Sequence, residues 1–176
     1  MIGLTVALFV FQVPPGWTQL SPDEAQKADA AFAARNAEGT AFVMAKVQTG
    51  AVAVTQDVLD QAPNARDKRL IDWDGVTVGR LVDEASSDDG KTVARVIFLI
   101  PGEDEHAVLT YATGPDELAR YEKLFDEAAR ATKGMVQPPS FWQRILRGQG
   151  RGALLGFIGA AIALIILRRI RTRPST

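Results

Sequence analysis

Residues 69–100 read RLIDWDGVTVGRLVDEASSDDGKTVARVIFLI, and this stretch decides the fold. RLIDW is a β-branched and aromatic run closed by Asp74-Gly75, a two-residue turn that tolerates positive φ, so a hairpin into VTVGRLVDEA is predicted. SSDDG supplies a second turn, and KTVARVIFLI reads as the longest strand. Ile97–Ile100 lack polar alternation, which predicts a central position with both faces covered. PGEDE then turns the chain into HAVLTYAT. Strands joined by short polar turns make an antiparallel meander.

Toward the N-terminus, Phe9–Val13 (FVFQV) reads as a strand ended by Pro14-Pro15-Gly16. Ser21, Pro22 and Glu24 form a helix start with a capping box, and the helix is predicted to run through DEAQKADAAFAARNAE to Gly39. Thr40–Gln48 and Ala51–Thr55 read as extended, and Gln56–Ala62 as a short helix before Pro63. Toward the C-terminus, a helix from Pro115 to about Lys133 carries Leu118, Tyr121, Phe125 and Ala128 as one apolar stripe. Asp116→Arg120 and Asp126→Arg130 are expected as acid-before-base pairs on its solvent side. The fold class is therefore α+β over residues 8–134, a mostly antiparallel sheet with packed helices.

Charge divides the chain in two. Residues 1–130 hold 12 Lys/Arg against 21 Asp/Glu, whereas residues 131–176 hold 8 Lys/Arg and no acid. The basic part contains ALLGFIGAAIALIIL at 153–167, uncharged and apolar all round. Gly152–Leu167 spans roughly 24 Å as a helix against a hydrocarbon core of about 30 Å. Arg168 and Arg169 can snorkel to the headgroups and bring Ile170 into the span. Residues 152–170 are thus predicted to be one transmembrane helix, followed by a basic tail at 171–176. Residues 135–151 form a proline spacer and an interfacial segment, with Phe141 and Trp142 on its apolar side and Arg144, Arg147 and Arg151 on its cationic side. Gly152, Gly156 and Ala160 share one helix face and could pack two such helices into a homodimer.

Orientation rests on arginines. Four (168, 169, 171, 173) follow the span and three precede it with Lys133, which favours a cytoplasmic C-terminus and an extracytoplasmic body on the cell (inner) membrane. That body needs an export signal. Residues 1–11 are apolar enough for one, yet no basic residue precedes them and no A-x-A site follows. They read either as a signal remnant, with a start upstream of Met1, or as a first strand of a tail-anchored protein.

FVFQVPPGW, DWDGVTVGRL, KTVARVIFLI and PDELARYEKLFDEAAR together resemble the PsbP/Mog1-like superfamily over residues 8–134. The resemblance implies an antiparallel sheet with a C-terminal helix packed on it, and an accessory or binding role without shared catalytic residues.

Chemistry is sparse. Zero cysteines exclude disulfides, thiolate metal sites and a cysteine nucleophile, and a single histidine excludes a multi-histidine centre. His106 follows Glu103-Asp104-Glu105 in a turn, and Asp72-x-Asp74-Gly75 imitates the start of a calcium loop without its remaining ligands. Ser86-Ser87-Asp88-Asp89-Gly90 reads as a polar turn, and Trp17 and Trp73 as packing residues. No phosphate loop, dinucleotide fingerprint or nucleophile elbow occurs, no cofactor is expected, and the acidic body argues against nucleic acid. The expectation is a non-enzymatic binding or accessory module that contacts the lipid bilayer and a protein partner at the membrane. The alternatives are a membrane-bound hydrolase or metal-dependent enzyme built on His106 and the acidic turns, and a membrane-complex subunit assembling through its helix.

Overall fold

The computed structural model describes residues 9–86 and 90–138. All the described residues fall within one compact unit, which ends at Pro138. The expected span at 152–170, with Gly152, Gly156 and Ala160, lies outside the described residues, as do Phe141, Trp142, Arg144, Arg147, Arg151, Arg168 and Arg169. Among the described residues no helix is long and apolar enough to cross a membrane.

Seven strands form one antiparallel sheet: β1 (Trp17–Gln19), β2 (Phe32–Asn36), β3 (Ala41–Thr49), β4 (Asp67–Trp73), β5 (Val76–Ser86), β6 (Thr92–Pro101) and β7 (Glu105–Thr113). Their spatial order is β1-β2-β3-β7-β6-β5-β4. The sheet is thus two meanders, β1–β3 and β4–β7, joined by pairing of β3 with β7. The helices are α1 (Pro22–Lys27), α2 (Gln56–Asp60) and α3 (Leu118–Arg130), the last preceded by a 3-10 turn at Pro115–Glu117. The α+β class read from the sequence is the observed one.

Asp74-Gly75 makes the predicted hairpin, with φ of 57° and 86°, and Asp72 stiffens it by accepting the Gly75 N–H at 3.0 Å. The capping box is also present: the Ser21 hydroxyl accepts the Glu24 N–H, and the Glu24 carboxylate accepts the Ser21 N–H at 3.0 Å. Those hydrogen bonds, led by the one from the Ser21 backbone, hold the Glu24 carboxyl below its ordinary pKa.

Other elements depart from the sequence reading. The first helix ends at Lys27, where Asp29 takes φ +52° and turns the chain back. FAARN then forms β2, because pairing with β1 on one side and β3 on the other satisfies its backbone better than a helix without an apolar stripe. Phe9–Val13 is not a ladder strand. It contributes one antiparallel bridge, Val10 to Lys133, and packs Phe9, Phe11 and Val13 on the core. Ala51–Thr55 stays outside the sheet, with Thr55 capping α2. At 11 residues β5 is longer than β6, and β7 holds the centre of the sheet. On β6 burial alternates, Val96, Phe98 and Ile100 fully covered and Ile97 and Leu99 only half, so a single face of that strand is sealed.

The sealed face carries α3. Tyr121, Phe125 and Ala128 of the predicted stripe are buried, Phe125 stacks on Tyr111 at 4.7 Å, and Trp17 meets Tyr121 and Phe125 edge-on at 6.3 and 6.1 Å. Trp73 packs on Phe98 at 5.4 Å, so both tryptophans serve packing. Buried Asn36 ties the β2–β3 turn to α3. Its amide donates to Thr40 Oγ1 at 3.0 Å and to the Tyr121 hydroxyl at 3.1 Å, while its oxygen accepts the N–H groups of Thr40 and Ala41.

On the opposite face α2 lies against β4 and β5. Gly79 admits it: a Cβ there would sit 2.6 Å from Leu59 Cδ2 and 3.0 Å from Val54 Cγ1, both of buried residues. Gly79→Val is therefore expected to destabilise the fold by about 1–3 kcal/mol through overpacking, and Gly79→Ala by less. Urea unfolding of the full chain in mild detergent measures this; an unchanged midpoint for the valine variant would show that α2 is not held there.

Candidate functional site

The sequence offered His106 and the acidic turns as the one route to catalysis. His106 opens β7, its Nδ1 2.8 Å from the Gly50 carbonyl oxygen and its Nε2 3.0 Å from Gln48 Oε1. Both ring nitrogens are engaged by neutral groups of the neighbouring strand, and no carboxylate orients the imidazole, which is what a general base in a triad-like arrangement needs. Asp72 is used by its own turn, and Asp74 meets Arg130 at 3.2 Å. Ser87–Asp89 lie outside the described residues. Among the described residues no group of three or more His, Cys, Asp or Glu could hold a metal ion. Among the described residues no carboxylate is hydrogen-bonded to the His106 ring.

A charged cluster that sequence reasoning missed lies under α3. Arg80 projects from β5 onto the sealed face, and its side chain is 2% exposed. Its Nε donates to Asp126 at 3.0 Å, one terminal nitrogen to Asp67 at 3.2 Å, and the other to Glu122. Asp67 also receives Arg69, with Nε at 2.8 Å from each carboxylate oxygen. That hydrogen-bonded guanidinium holds the Asp67 carboxyl below its ordinary pKa. Asp126 is thus turned toward the sheet instead of pairing with Arg130 in solvent, and Arg120 reaches Glu117 at 3.7 Å instead of Asp116. The signal was available: Arg80 shares strand parity with Val78 and Val82, and Glu122 and Asp126 are one helical turn apart. The cluster is a clamp that fixes α3 to β4 and β5, each of its carboxylates being held by an arginine of this chain.

The surface best suited to recognition is the second sheet face. Register places Phe42 and Met44 of β3, Val108 and Thr110 of β7, Ile97 and Leu99 of β6, and Leu81 of β5 side by side there. Phe42 is 36% exposed and the others are half-buried, Leu99 lying beside Gly79, where α2 packs on this face. Leu70 on the edge strand β4 extends the apolar strip and is 42% exposed. Polar side chains border it: Arg35 and Lys46 toward β2, and toward β5 the ion pair Arg95–Asp83 at 2.7 Å. The Asp83 carboxylate raises the Arg95 pKa by hydrogen bonding.

At the level of sequence, no protein-family model matches the chain and no curated protein does. Solved structures do resemble it. A 1.50 Å crystal structure from Bacteroides thetaiotaomicron aligns with a TM-score of 0.52 at 11% identity, over 73% of this chain and 46% of that one. This chain therefore matches less than half of the Bacteroides protein. The solution structure of cyanobacterial PsbP (CyanoP) from Synechocystis sp. PCC 6803 aligns at 0.49 and 13% identity, over 72% of this chain and 86% of that one. LpqN of Mycobacterium tuberculosis, described as involved in cell envelope biogenesis, aligns at 0.48 and 19%, over 73% and 83%. The likeness is one of fold. This chain's own fold is an antiparallel sheet with a helix packed on it after the last strand, as expected from the sequence, and the likeness to solved structures assigns no function.

Because Arg80 is buried among three carboxylates, Arg80→Ala is expected to cost about 3 kcal/mol. Arg80→Met, which keeps the packed stem, should lose less. Asp67 adds a pH dependence. Its folded pKa is depressed, so its stabilisation is complete above the unfolded aspartate value of about 4 and is lost as pH falls through the folded value. Urea midpoints between pH 3 and 7 check both, and Asp67→Asn should flatten the acid limb.

Proposed function

We propose that this chain is a non-catalytic binding domain tethered to a membrane, which presents its open sheet face to a protein partner. The observation that carries the reading is the apolar strip Phe42–Met44–Val108–Ile97–Leu99–Leu81 on the sheet face opposite α3, where α2 lies over Gly79 at the β4–β5 edge beside Leu99. Phe42 and Leu70 are the exposed large apolar side chains described on this face, and an apolar strip rimmed by polar residues is the pattern of an interaction site. The uncharged run at 153–167 between arginine clusters supports the tether, and the arginine balance supports a body outside the cytoplasm. A tether supplies affinity by confinement: a partner in the same membrane meets the body at high effective concentration, so a modest interface suffices.

Two measurements test this. Alkaline extraction of membranes should leave the full chain in the pellet and release a variant lacking residues 152–170. Photo-crosslinking in cells from a probe at position 42 should give a discrete product that Leu99→Lys abolishes, whereas a probe at Lys123 on the outside of α3 gives none. Equal products from both positions, or persistence with Leu99→Lys at unchanged stability, would remove the sheet face as the binding surface.

A further inference from the structure

One edge of the sheet is built to accept another strand. β4 ends the strand order, and among the described residues β5 alone pairs with it. Its seven residues, DKRLIDW, run in unbroken register with β5 and include no proline. Bulges and prolines are common guards of an exposed edge, and β4 has neither.

The hairpin determines which peptide groups face outward. Asp74-Gly75 is a two-residue turn, so Trp73 and Val76 flank it as a hydrogen-bonded pair. By alternation Ile71, Arg69 and Asp67 also turn their N–H and C=O groups to β5. Two bonds on β5 agree with this phase. The Val82 carbonyl, opposite Asp67, accepts the Arg66 N–H at 2.7 Å, whereas the Thr77 N–H points the other way, to Gln137 Oε1 at 2.8 Å. Lys68, Leu70 and Asp72 therefore direct their peptide groups away from the sheet. Their side chains share the face opposite α3, where Leu70 is 42% exposed.

We propose that β4 pairs with β4 of a second copy of this chain, antiparallel, about a two-fold axis at Leu70. Charge selects this register. With Leu70 opposite the second copy's Leu70, Lys68 lies opposite its Asp72 and Asp72 opposite its Lys68. All of these pairs are of the hydrogen-bonded kind, so every outward N–H of one copy meets an outward carbonyl of the other. The two ammonium–carboxylate pairs flank the leucines on one face. Asp72 accepts the Gly75 N–H through Oδ1 and keeps Oδ2 for its new partner. The Lys68 ammonium, 3.3 Å from the Asp60 carbonyl, has further donors to give. Moving the axis to residue 69 sets Arg69 against Arg69, and moving it to 71 sets Leu70 against Asp72. A slip of one residue would bring outward peptide groups against inward ones. The contact is isologous and closes at two copies, and it leaves α3 and the sealed face untouched. It goes beyond the reading above and requires neither the tether nor the partner proposed there.

The chain has no cysteine, so Leu70→Cys places a single thiol at the two-fold axis. The Cα atoms of a hydrogen-bonded pair lie about 5.5 Å apart, within reach of a short bismaleimide. The full-length protein in mild detergent is treated with this reagent and resolved by denaturing electrophoresis. Leu70→Cys is expected to give a covalent dimer, and Phe42→Cys, on β3 of the same face, none. No dimer at 70, or an equal dimer at 42, would overturn the pairing. Lys68→Asp and Asp72→Lys, each added to Leu70→Cys, should lose the link, because like charges then face one another. An equimolar mixture of the two should restore it as a mixed dimer. Persistence of the link in either variant, as a dimer held by residues 152–170 would give, overturns the proposal. So does failure of the mixture to recover while both variants keep the wild-type circular dichroism. Asp72→Lys also removes the acceptor in the turn, so Lys68→Pro serves as a second variant. It deletes one outward N–H and leaves the ladder with β5 intact. It should abolish the link at position 70, and survival of the link would overturn the edge contact.

Discussion

Pairing of β3 with β7 is the constraint on which this domain depends. Every other strand contact joins neighbours in sequence through a turn or short excursion, whereas Ala41–Thr49 and Glu105–Thr113 pair over nine residues from opposite halves of the chain. The composition of the two strands fits the task. On the sealed face β3 offers Ala41, Val43 and Ala45 opposite Thr113, Tyr111 and Leu109, so small side chains lie beside large ones and leave room for the ring of Phe125 above. The helix that supplies Phe125 follows β7 after a 3-10 turn and packs on β6 and β7. Closing the long β3–β7 connection is entropically costly, and the aromatic cluster formed on closure offsets it.

How much of this was legible depends on whether a residue's fate was settled locally. Asp74-Gly75 and Ser21-x-x-Glu24 were read correctly because turn and cap chemistry is completed within four residues. The stretch ADAAFAARN was read as helix because alanine favours one; the strand conformation of Phe32–Asn36 comes from β1 and β3, partners that the local pattern does not reveal. Phe9–Val13 failed for the converse reason. It has strand-like residues, but the position beside it is filled by Lys133 for one bridge only. Asp126 was assigned to Arg130 by helical spacing, although a guanidinium buried in the sheet attracts a carboxylate more strongly than an exposed one does.

The half-buried second face of the sheet was missed for a related reason. Ile97–Ile100 looked like a strand buried on both sides, and in the structure only one side is sealed. Continuous hydrophobicity in a strand with one open face means surplus apolar surface, and the surplus became visible only when the helices were placed. The apolar run at 153–167 stood out because its pattern requires no partner at all, although its positions lie outside the described residues.

The attachment of the C-terminal connection also has a mechanical logic. If residues after Pro138 are fixed in a bilayer, force on the domain passes through the segment 131–138. A helix end alone would fray under such a load, since its last carbonyls lack intrahelical donors. Here the segment is sewn to three places after α3 ends: to Val10 by two backbone hydrogen bonds, to the Pro101 carbonyl through the Val136 N–H, and to the Thr77 N–H through the Gln137 side chain at 2.8 Å. Those bonds lie on the N-terminal segment, β6 and β5, so the load is shared across the sheet instead of being carried by α3. Arg80 completes the arrangement by holding α3 to β4 and β5 through Glu122, Asp126 and Asp67. The clamp and the seam act at different points along the chain, and a domain held this way can bear a tether without exposing its core.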